Sequence, residues 1–307
     1  MSNLALIGAG QIGTAAALAA RDDGICSAIS VVVDPDPAAR AELVAVTGAS
    51  SHASTAELSS AIEGDRALVA FSSDANKVGR EIIQLVSLGY HCVTTCEELA
   101  WPDRHLWEAL HTAAATEKRV IIVTGANPGF AMDRFPLLAA AATRSPSSIK
   151  VTRRVNTSRR RDSLIAKTGR GLTPEEFERA WQAGKAGHKG LEASARLLAH
   201  SLNWDHNDLR ETIDPIIVDG IVTGYEQRVL VRTTDGRKIS LHLVLDENLE
   251  DEVDEVVVEG TPPITMRIQG GYHGDEGAKA QILMALQRCR ELEPGFYRPT
   301  DLPLRFG

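Results

Sequence analysis

The sequence predicts an α/β protein with a doubly wound parallel sheet and, as a second domain, an α+β fold with a mixed sheet. Apolar runs typical of strands alternate with helix-forming runs up to residue 124, which is the pattern of a parallel sheet with right-handed crossovers. From residue 213 to residue 268, strand-like runs follow one another directly. The 307 residues are also about twice a typical domain of ~150 residues. We therefore expect a first domain over residues 1–134 and 275–307 and a second over residues 135–274.

The first strand signal is an apolar run over residues 4–7, followed at once by Gly8-Ala9-Gly10-Gln11-Ile12-Gly13 and a helix-forming run. In a nucleotide-binding turn, Gly8 permits the tight bend, Gly10 lets the backbone approach a pyrophosphate, and Gly13 lets the helix pack on the strand. The first helical N–H groups, at Gln11, Ile12 and Gly13, would face the phosphates. We predict a bound dinucleotide here, with a purely structural turn as the alternative.

A second apolar run, over residues 29–33, ends at Asp34. An acidic residue about 20 positions after the glycine turn can accept hydrogen bonds from the adenosine ribose and repels a 2′-phosphate. Asp34 therefore favours NAD over NADP. Arg40 lies close enough along the chain to leave NADP as the alternative.

The alternation then continues through the rest of the first domain. Ligands of such sheets bind beyond the carboxyl ends of the strands, where polar or glycine-rich loops follow three of the predicted strands. We therefore expect Ser72, Ser73, residues 95–98 and residues 125–129 to line one crevice. The predicted strands cover residues 67–71, 91–95 and 120–124, and the predicted helices cover residues 78–88 and 107–117.

The second half has its own local signals. Thr173 with Glu176 three residues later predicts a helix start, and residues 190–202 predict an amphipathic helix. A hairpin turn is predicted at residues 234–236. The acidic run at residues 246–255 is interpreted as a solvated loop. The last predicted helix, residues 277–290, is expected to return to the first domain.

Composition excludes several classes of function. The chain has 33 Lys+Arg against 41 Asp+Glu, a net charge of −8, and 5% aromatic residues, which argues against a nucleic-acid partner. No run approaches the ~20 apolar residues of a membrane span, and no signal-peptide pattern is present. Four cysteines suit a reducing cytoplasm. His91, Cys92 and Cys96 lack a second ligand pair, so we expect no metal.

Glu97 and Glu98 are the most informative polar pair, because they directly follow the predicted strand at residues 91–95. A carboxylate near a nicotinamide could bind a substrate ammonium group or transfer a proton. The alternative is that these acids stabilise a helix N-terminus.

Several basic residues are candidates for substrate binding. Arg159, Arg160 and Arg161 could hold a carboxylate by paired hydrogen bonds, although a charged sheet edge is the alternative. Lys167 and His188 lie in glycine-rich loops, which often carry functional residues. His242 lies in a strand, where alternation leaves open whether it faces the packed or the open side.

Six segments carry a resemblance that covers nearly the whole chain. They are Ile7-Gly8-Ala9-Gly10-Gln11-Ile12-Gly13, Thr94-Thr95-Cys96-Glu97-Glu98-Leu99-Ala100-Trp101-Pro102, Gly125-Ala126-Asn127-Pro128-Gly129-Phe130-Ala131-Met132-Asp133, Ser158-Arg159-Arg160, Gly187-His188-Lys189-Gly190-Leu191-Glu192-Ala193-Ser194 and Gly270-Gly271-Tyr272-His273-Gly274-Asp275. Together they resemble the 2,4-diaminopentanoate dehydrogenases and related native amine dehydrogenases, a branch related to dihydrodipicolinate reductase.

The resemblance implies a Rossmann domain, a mixed α/β substrate and dimerisation domain, and a nicotinamide cofactor in a homodimer. It also implies reversible oxidative deamination of an amine or diamino acid to a ketone plus ammonia. A glutamate would assist proton transfer, and motif position favours Glu98 over Glu97. Asn127 and Pro128 would border the nicotinamide, with Asn127 also near substrate. Arg159 or Arg160, and His242, would hold the polar end of an amino-acid-like substrate.

Two alternatives accompany this interpretation: an imine reductase acting on a preformed cyclic imine, including a dihydrodipicolinate-reductase-like activity, and a non-catalytic NAD(P)-binding sensor. The paired histidine and the Lys-Pro-Ser-Gly-Thr stretch of dihydrodipicolinate reductases do not occur in this sequence, which disfavours lysine biosynthesis. The chain also has Gly277-Ala278 where relatives often have a threonine, so its substrate preference can differ from theirs.

Overall fold

A computed structural model describes residues 2–60, 65–158 and 160–303 of the chain. Their contacts divide the chain into unit 1, residues 1–129 and 274–307, and unit 2, residues 130–273. Unit 1 is therefore formed from two separate stretches of sequence. Arg159, one of the basic residues considered above, lies outside the described residues.

Unit 1 is built on a parallel sheet. The described strands are β1 (Leu4–Ile7), β2 (Ile29–Val33), β3 (Ser50–His52), β4 (Arg66–Val69), β5 (His91–Thr94), β6 (Val120–Val123) and β13 (Gly295–Tyr297). Their order across the sheet is β13-β6-β5-β4-β1-β2-β3, and each neighbouring pair is parallel. The chain reverses its direction of travel across the sheet at β1, which lies between β2 and β4.

Helices of unit 1 follow the strands in the alternation that the sequence predicts. Ala16, Ala17 and Ala20 of the first helix pack with Ile282 and Leu286 of the last helix in one apolar core. The helices are α1 (Gln11–Asp22), α2 (Pro37–Thr47), α3 (Ala75–Ser87), α4 (Arg104–Thr116) and α9 (Gly274–Arg288). Within the described part of the chain, no helix combines the length and the apolarity that a membrane crossing requires.

Unit 2 contains a mixed sheet. Its strands are β7 (Arg144–Asn156), β8 (His206–Val218), β9 (Ile221–Thr233), β10 (Lys238–Asp246), β11 (Val253–Thr261) and β12 (Ile264–Gln269). The order is β12-β11-β7-β10-β9-β8, in which β10 and β7 are parallel and the other neighbours antiparallel. This sheet, with the Rossmann-type sheet of unit 1, confirms the predicted fold class.

The helices of unit 2 cover one face of its sheet. Val151, Val229 and Leu241 are buried on that face, and the alternate residues Thr152, Arg228 and His242 lie on the opposite face. The helices are α5 (Arg134–Ala141), α6 (Asp162–Thr168), α7 (Pro174–Gln182) and α8 (Leu191–Ser201). At the start of α7, Thr173 and Glu176 form the predicted capping box.

The interpretation of residues 246–255 as a solvated loop is wrong at both ends of the run. Asp246 ends β10, and Asp254 lies inside β11 with only 1% of its surface exposed. The Arg153 guanidinium donates to both Asp254 carboxylate oxygens, at 2.7 and 2.6 Å. A buried carboxylate needs such a partner, and this partner is 101 residues away in the sequence.

Candidate active site

The glycine turn after β1 is closely packed at two of its glycines and open at the third. Gly8 has φ +98°, and a Cβ there would lie 2.7 Å from Phe71 Cβ. A Cβ on Gly13 would lie 2.6 Å from the Gly8 carbonyl oxygen, so this glycine lets α1 approach β1. Beside Gly10, by contrast, a Cβ would meet no atom within 4 Å. Gly10 precedes α1 and supplies no side-chain cap, so the helix N-terminus has the open approach and unsatisfied donors that suit a pyrophosphate.

Asp34 lies directly after β2, beside the glycine turn. Its carboxylate accepts the Ala9 N–H at 2.8 Å and the Asp36 N–H at 2.9 Å. The Arg40 guanidinium donates to the Asp34 carbonyl oxygen. An anionic and a cationic side chain therefore both lie at this end of β2, where a Rossmann fold holds the adenosine ribose.

Ser72 and Ser73 follow β4, next to the glycine turn. The Ala70 N–H donates to the Ile7 carbonyl at 2.8 Å, which joins the first residue after β4 to the end of β1. Both serines are half-buried, and Ser72 Oγ accepts the Asp74 N–H at 3.1 Å. Both serines therefore lie just beyond the carboxyl end of β4.

Glu97 and Glu98 follow β5, and both side chains are half-buried. Glu98 begins a 3₁₀ turn over Glu98–Ala100. The Ala75 N–H in the first turn of α3 donates to Glu98 Oε2 at 3.0 Å. This bond fixes the Glu98 carboxylate against the segment that follows β4. The neighbouring Cys96 thiol is buried, and burial raises its pKa to about 12, so it stays protonated at neutral pH.

The loop after β6 carries Asn127 and Pro128, joined by a cis peptide bond. Pro128 is buried and Asn127 half-buried. Gly129 has φ +143°, and a Cβ there would overlap the Gly125 carbonyl, so only glycine fits. The Thr124 N–H donates to the Thr94 carbonyl at 2.9 Å, which holds this loop beside the one that carries Glu97 and Glu98. All the site residues predicted for unit 1 thus lie at one edge of its sheet.

In unit 2, the structure brings Lys167 and His188 together. Lys167 lies in the last turn of α6, and its carbonyl accepts the Gly187 N–H at 3.0 Å. His188 comes next in that loop and is half-buried. Arg160 follows β7 and donates to Glu252 Oε1 at 2.8 Å and to the Asn156 carbonyl at 3.2 Å, so a structural ion pair already engages its guanidinium.

Gln227 and Glu211 are two polar residues of this region that sequence reasoning missed. Gln227 is fully buried; its Oε1 accepts the His188 N–H at 2.8 Å, and its Nε2 donates to the His188 carbonyl at 2.9 Å. The same Nε2 donates to Glu211 Oε1 at 2.8 Å. Burial raises the pKa of the Glu211 carboxyl, although the Gln227 hydrogen bond opposes that change. A glutamine between buried Tyr225 and Val229 in the β9 pattern was the signal that could have identified it.

His242 is not brought to the Lys167–His188 region. It lies on the face of β10 opposite the helices, with 25% of its side chain exposed. Its Nε2 lies 3.1 Å from Glu226 Oε2, and Glu226 also pairs with Arg228, which pairs with Asp214. Gln227, which positions His188, projects instead from the helix-covered face of β9.

The buried Arg153–Asp254 pair holds a further segment. Arg153 donates to the Tyr272 carbonyl at 2.9 Å, and Asp254 Oδ2 accepts the Tyr272 N–H at 2.6 Å. The Tyr272 ring packs on Phe130, with centroids 4.7 Å apart. This clamp fixes the segment Gly270-Gly271-Tyr272-His273, which lies within one of the six resembling segments. Across the described ranges, no three His, Cys, Asp or Glu side chains are grouped as metal ligands.

Comparisons with known proteins agree with this architecture. The sequence profile of the 2,4-diaminopentanoate dehydrogenase C-terminal domain matches residues 130–306, more than half of the chain. A curated relative, the 2,4-diaminopentanoate dehydrogenase of Acetoanaerobium sticklandii, is 25% identical over 264 residues, which cover 78% of this chain and 74% of the relative.

Two solved structures show the same fold. An amine dehydrogenase from Mycobacterium smegmatis superposes with a TM-score of 0.85 at 16% identity, covering 100% of this chain and 97% of that one. GenD2 from gentamicin A biosynthesis, solved in complex with NAD, has a TM-score of 0.62 at 16% identity and covers 98% of this chain and 89% of that one. Taken together with the profile match, these findings make the chain an oxidoreductase that belongs to the family of the 2,4-diaminopentanoate dehydrogenase C-terminal domain.

Proposed function

We propose that the chain is an NAD(P)-dependent amine dehydrogenase. It would catalyse the reversible oxidative deamination of an amine or a diamino acid resembling 2,4-diaminopentanoate to a ketone plus ammonia. The observation that carries the proposal is the edge of the unit 1 sheet, where the glycine turn and the Glu97–Glu98 pair lie together. The curated relative and the M. smegmatis structure, both named for amine or diamino-acid dehydrogenation, support the substrate class.

The residues at this edge fit a nicotinamide dinucleotide, which when bound would accept or donate the hydride. The turn Gly8, Gly10, Gln11, Ile12 and Gly13 offers backbone donors to the phosphates. Asp34 would accept the ribose hydroxyls and favour NAD, while the adjacent Arg40 keeps NADP as the alternative. At the other end of the cofactor, we assign Ser72, Ser73, Asn127 and Pro128 to the nicotinamide.

Glu98 is the residue that we assign to proton transfer, with Glu97 as its neighbour in the site. Carbinolamine formation and collapse require proton transfers, and the iminium between them is cationic. A fixed carboxylate stabilises that cation and moves the proton. The Ala75 N–H holds one Glu98 oxygen, so the carboxylate keeps one orientation before substrate arrives. Asn127, which like Glu98 belongs to unit 1, would also bind the substrate.

The substrate-binding residues that we propose in unit 2 are Arg160, Lys167 and His188. Lys167 and His188 lie together through the Gly187 hydrogen bond, and Gln227 fixes the His188 backbone. Cationic side chains suit the carboxylate of a diamino acid. Arg160 would bind the substrate carboxylate while keeping its ion pair with Glu252. We also propose His242 for the polar end of the substrate, from the opposite face of the sheet.

A substrate screen tests the proposal. Simple amines, amino acids and diamino acids are oxidised with NAD⁺ and with NADP⁺ at alkaline pH, and the matching ketones are reduced with and without ammonia. We expect oxidation of at least one amine and an absolute need for ammonia in reduction. Reduction of a cyclic imine without ammonia would instead indicate an imine reductase, and cofactor binding without any turnover would indicate a sensor.

Glu98→Gln identifies the proton-transfer residue in the same assay. The amide oxygen can still accept the Ala75 N–H, so the fold is kept while the charge is lost. We expect kcat to fall by about 10²- to 10⁴-fold, with the Kd for NAD(H) nearly unchanged. Glu97→Gln is the neighbouring comparison, and Glu108→Gln, an exposed residue of α4 paired with Arg104, is the matched control. Wild-type turnover in Glu98→Gln would contradict the assignment.

We further propose a cytoplasmic homodimer. Cys26, Cys92, Cys96 and Cys289 are buried free thiols, a state that a reducing compartment preserves. The face of the unit 2 sheet opposite its helices, which carries His242, is the surface that we assign to the second copy. Sedimentation equilibrium is expected to give twice the chain mass, and the mass of one chain would contradict the dimer.

A further inference from the structure

The chain returns to unit 1 at its C-terminal end and places Arg298 there in a fixed orientation. β13 pairs with β6 in parallel, with Gly295 opposite Val120, and Arg298 follows it directly. The Arg298 Nε donates to Asp301 Oδ2 at 3.0 Å, and a terminal nitrogen donates to Oδ1 at 3.1 Å. The Arg298 backbone N–H also donates to Oδ2, at 2.9 Å. Paired bonds of this kind fix the plane of the guanidinium, and only 14% of the Arg298 side chain is exposed.

The fixed guanidinium lies over Trp101. Arg298 Cζ is 4.7 Å from the centroid of the Trp101 ring, which is within the distance of a favourable cation–π contact. Trp101 ends the 3₁₀ turn that Glu98 begins, and its N–H donates to the Glu98 carbonyl at 3.3 Å. The C-terminal segment therefore contacts the same short turn that carries the two carboxylates.

That turn has little internal support. Its backbone bonds, from Leu99, Ala100 and Trp101 N–H groups to the Cys96, Glu97 and Glu98 carbonyls, are 3.2, 3.3 and 3.3 Å long. An isolated 3₁₀ turn of three residues has poor hydrogen-bond geometry and few bonds. Contacts outside its own backbone therefore contribute to its position, and Leu99 and Ala100 are fully buried. The described contacts include the Glu98–Ala75 hydrogen bond on one side and the Trp101–Arg298 stack on the other.

We propose that Arg298, held by Asp301, is a positioning residue for the Glu97–Glu98 pair. The inference rests on the proposed role of Glu98 in proton transfer. With Arg298 in place, Trp101 is pinned and the turn keeps Glu98 at one orientation. Without it, the turn samples several orientations and the carboxylate spends less time aligned with the reacting atoms. A misplacement of this kind lowers the rate of the chemical step more than it weakens binding.

Arg298→Met tests the proposal, because methionine keeps much of the side-chain volume and removes the cation. We expect kcat to fall about 3- to 30-fold, because losing one cation–π contact would shift the equilibrium between aligned and misaligned orientations of the turn by about that factor. The Kd for NAD(H) is expected to stay within twofold, because Asp301 and Trp101, the described partners of Arg298, are not residues that we assign to the cofactor. Arg298→Lys keeps a cation but loses the paired bonds to Asp301, so it should recover part of kcat. Arg104→Met, which breaks an exposed ion pair with Glu108 in α4, is the matched control and should leave kcat unchanged.

Amide hydrogen exchange measures how often the backbone hydrogen bonds of the turn open, and this measurement does not depend on activity. We expect faster exchange at Leu99, Ala100 and Trp101 in Arg298→Met, with wild-type rates in β4 and in β9. Unchanged exchange at these amides overturns the proposal, and so does faster exchange throughout unit 1, which would indicate a general structural role. Faster exchange confined to the turn with unchanged kcat also overturns positioning.

The two proposals fail in different ways. If the wild-type protein oxidises no amine in the substrate screen, the proposed function fails. The exchange result at residues 99–101 then still decides whether Arg298 holds the turn. If the wild-type protein is active and Arg298→Met matches it in kcat, the positioning role alone fails.

Discussion

Gln227 holds the backbone of His188 by two hydrogen bonds. Its buried amide oxygen accepts the His188 N–H, and its amide nitrogen donates to the His188 carbonyl. The second Nε2 hydrogen goes to Glu211, so the amide can have only one orientation. A glycine-rich loop, residues 187–190, would otherwise have many accessible conformations. The β9 side chain thus converts a flexible loop into a fixed one.

Gln227→Leu is predicted to destabilise unit 2 and to release this loop. Leucine fills a similar volume but leaves the His188 N–H and carbonyl without these partners, which costs about 1–3 kcal/mol of unfolding free energy for each group that stays buried. For the two groups together we expect a loss of about 2–6 kcal/mol in chemical denaturation. KM for the amine should also rise if His188 binds substrate.

Gln182→Leu is the control for that prediction, because Gln182 bonds Glu178 on the exposed surface of α7. It should change the unfolding free energy by less than about 0.5 kcal/mol. Equal stabilities for the two variants would show that the Gln227–His188 hydrogen bonds contribute nothing to the unfolding free energy. A stability loss without any change in KM would remove His188 from the substrate site.

At the scale of elements, the contact between β5 and β6 contains a histidine that must stay neutral. His91 begins β5, and the Val120 N–H at the start of β6 donates to its Nδ1 at 3.1 Å. Nδ1 can accept that hydrogen bond only when it carries no proton. Burial, with smaller contributions from Arg119, Arg66 and Arg290, lowers the pKa of His91 to about 4.

This histidine predicts a loss of stability in mild acid. The unfolded chain takes up a proton at His91 near pH 6.5, whereas the folded chain does not until about pH 4. Between these values the unfolded state binds more protons, so the unfolding free energy falls as the pH falls. Because His91 is partly exposed, we expect a loss on the order of 2 kcal/mol across this range. His91→Asn, which can still accept the Val120 N–H, should flatten the pH profile of Tm, and the exposed His105→Asn should not. A wild-type slope in His91→Asn would contradict the prediction.

Elements with local signals were predictable from the sequence, and elements without them were not. The capping box at Thr173 and the glycine turn before α1 depend on residues a few positions apart, and both are found. β3 and β13 each have three residues, too few for an alternating pattern. Helix α2 was not predicted either, although Asp36 as N-cap and Pro37 at its first position are a helix-start signal.

At the scale of the whole molecule, the limit of prediction is sequence separation. Glu98 could be proposed from the sequence, because the motif that contains it directly follows the strand predicted at residues 91–95. The Gln227–His188 hydrogen bonds join residues 39 positions apart, and the Arg153–Asp254 ion pair joins residues 101 positions apart. Such contacts depend on the strand register of an entire sheet, and a shift of one residue would turn each side chain to the other face. No local pattern encodes them, so the fold was predicted better than the residues that support the site.

The return of the chain to unit 1 is secured by another long-range contact, at Arg66. This β4 side chain is 1% exposed. It donates to the Leu286 carbonyl at 2.6 Å, 220 residues away, and to the Ile25 carbonyl at 2.6 Å. Leu286 lies in the last turn of α9, where carbonyls lack helical partners and a cation is favourable. Arg66 therefore caps the returning helix and ties it to the first stretch of unit 1.

Arg66→Met is predicted to lower the unfolding free energy of unit 1 by about 2–4 kcal/mol, because the buried Leu286 carbonyl and the partly buried Ile25 carbonyl lose their donor. Arg66→Lys keeps the cation but not the forked geometry, so it should restore only part of this loss. The exposed Arg80→Met in α3 is the control and should be nearly neutral. Amide exchange resolves the effect by region: α9 and β4 should exchange faster in Arg66→Met, while β9 and β10, packed in the separate core of unit 2, should keep their rates. Equal acceleration in both units would show that Arg66 supports the whole chain rather than the closure of unit 1, and unchanged exchange in α9 would show that the helix returns without its help.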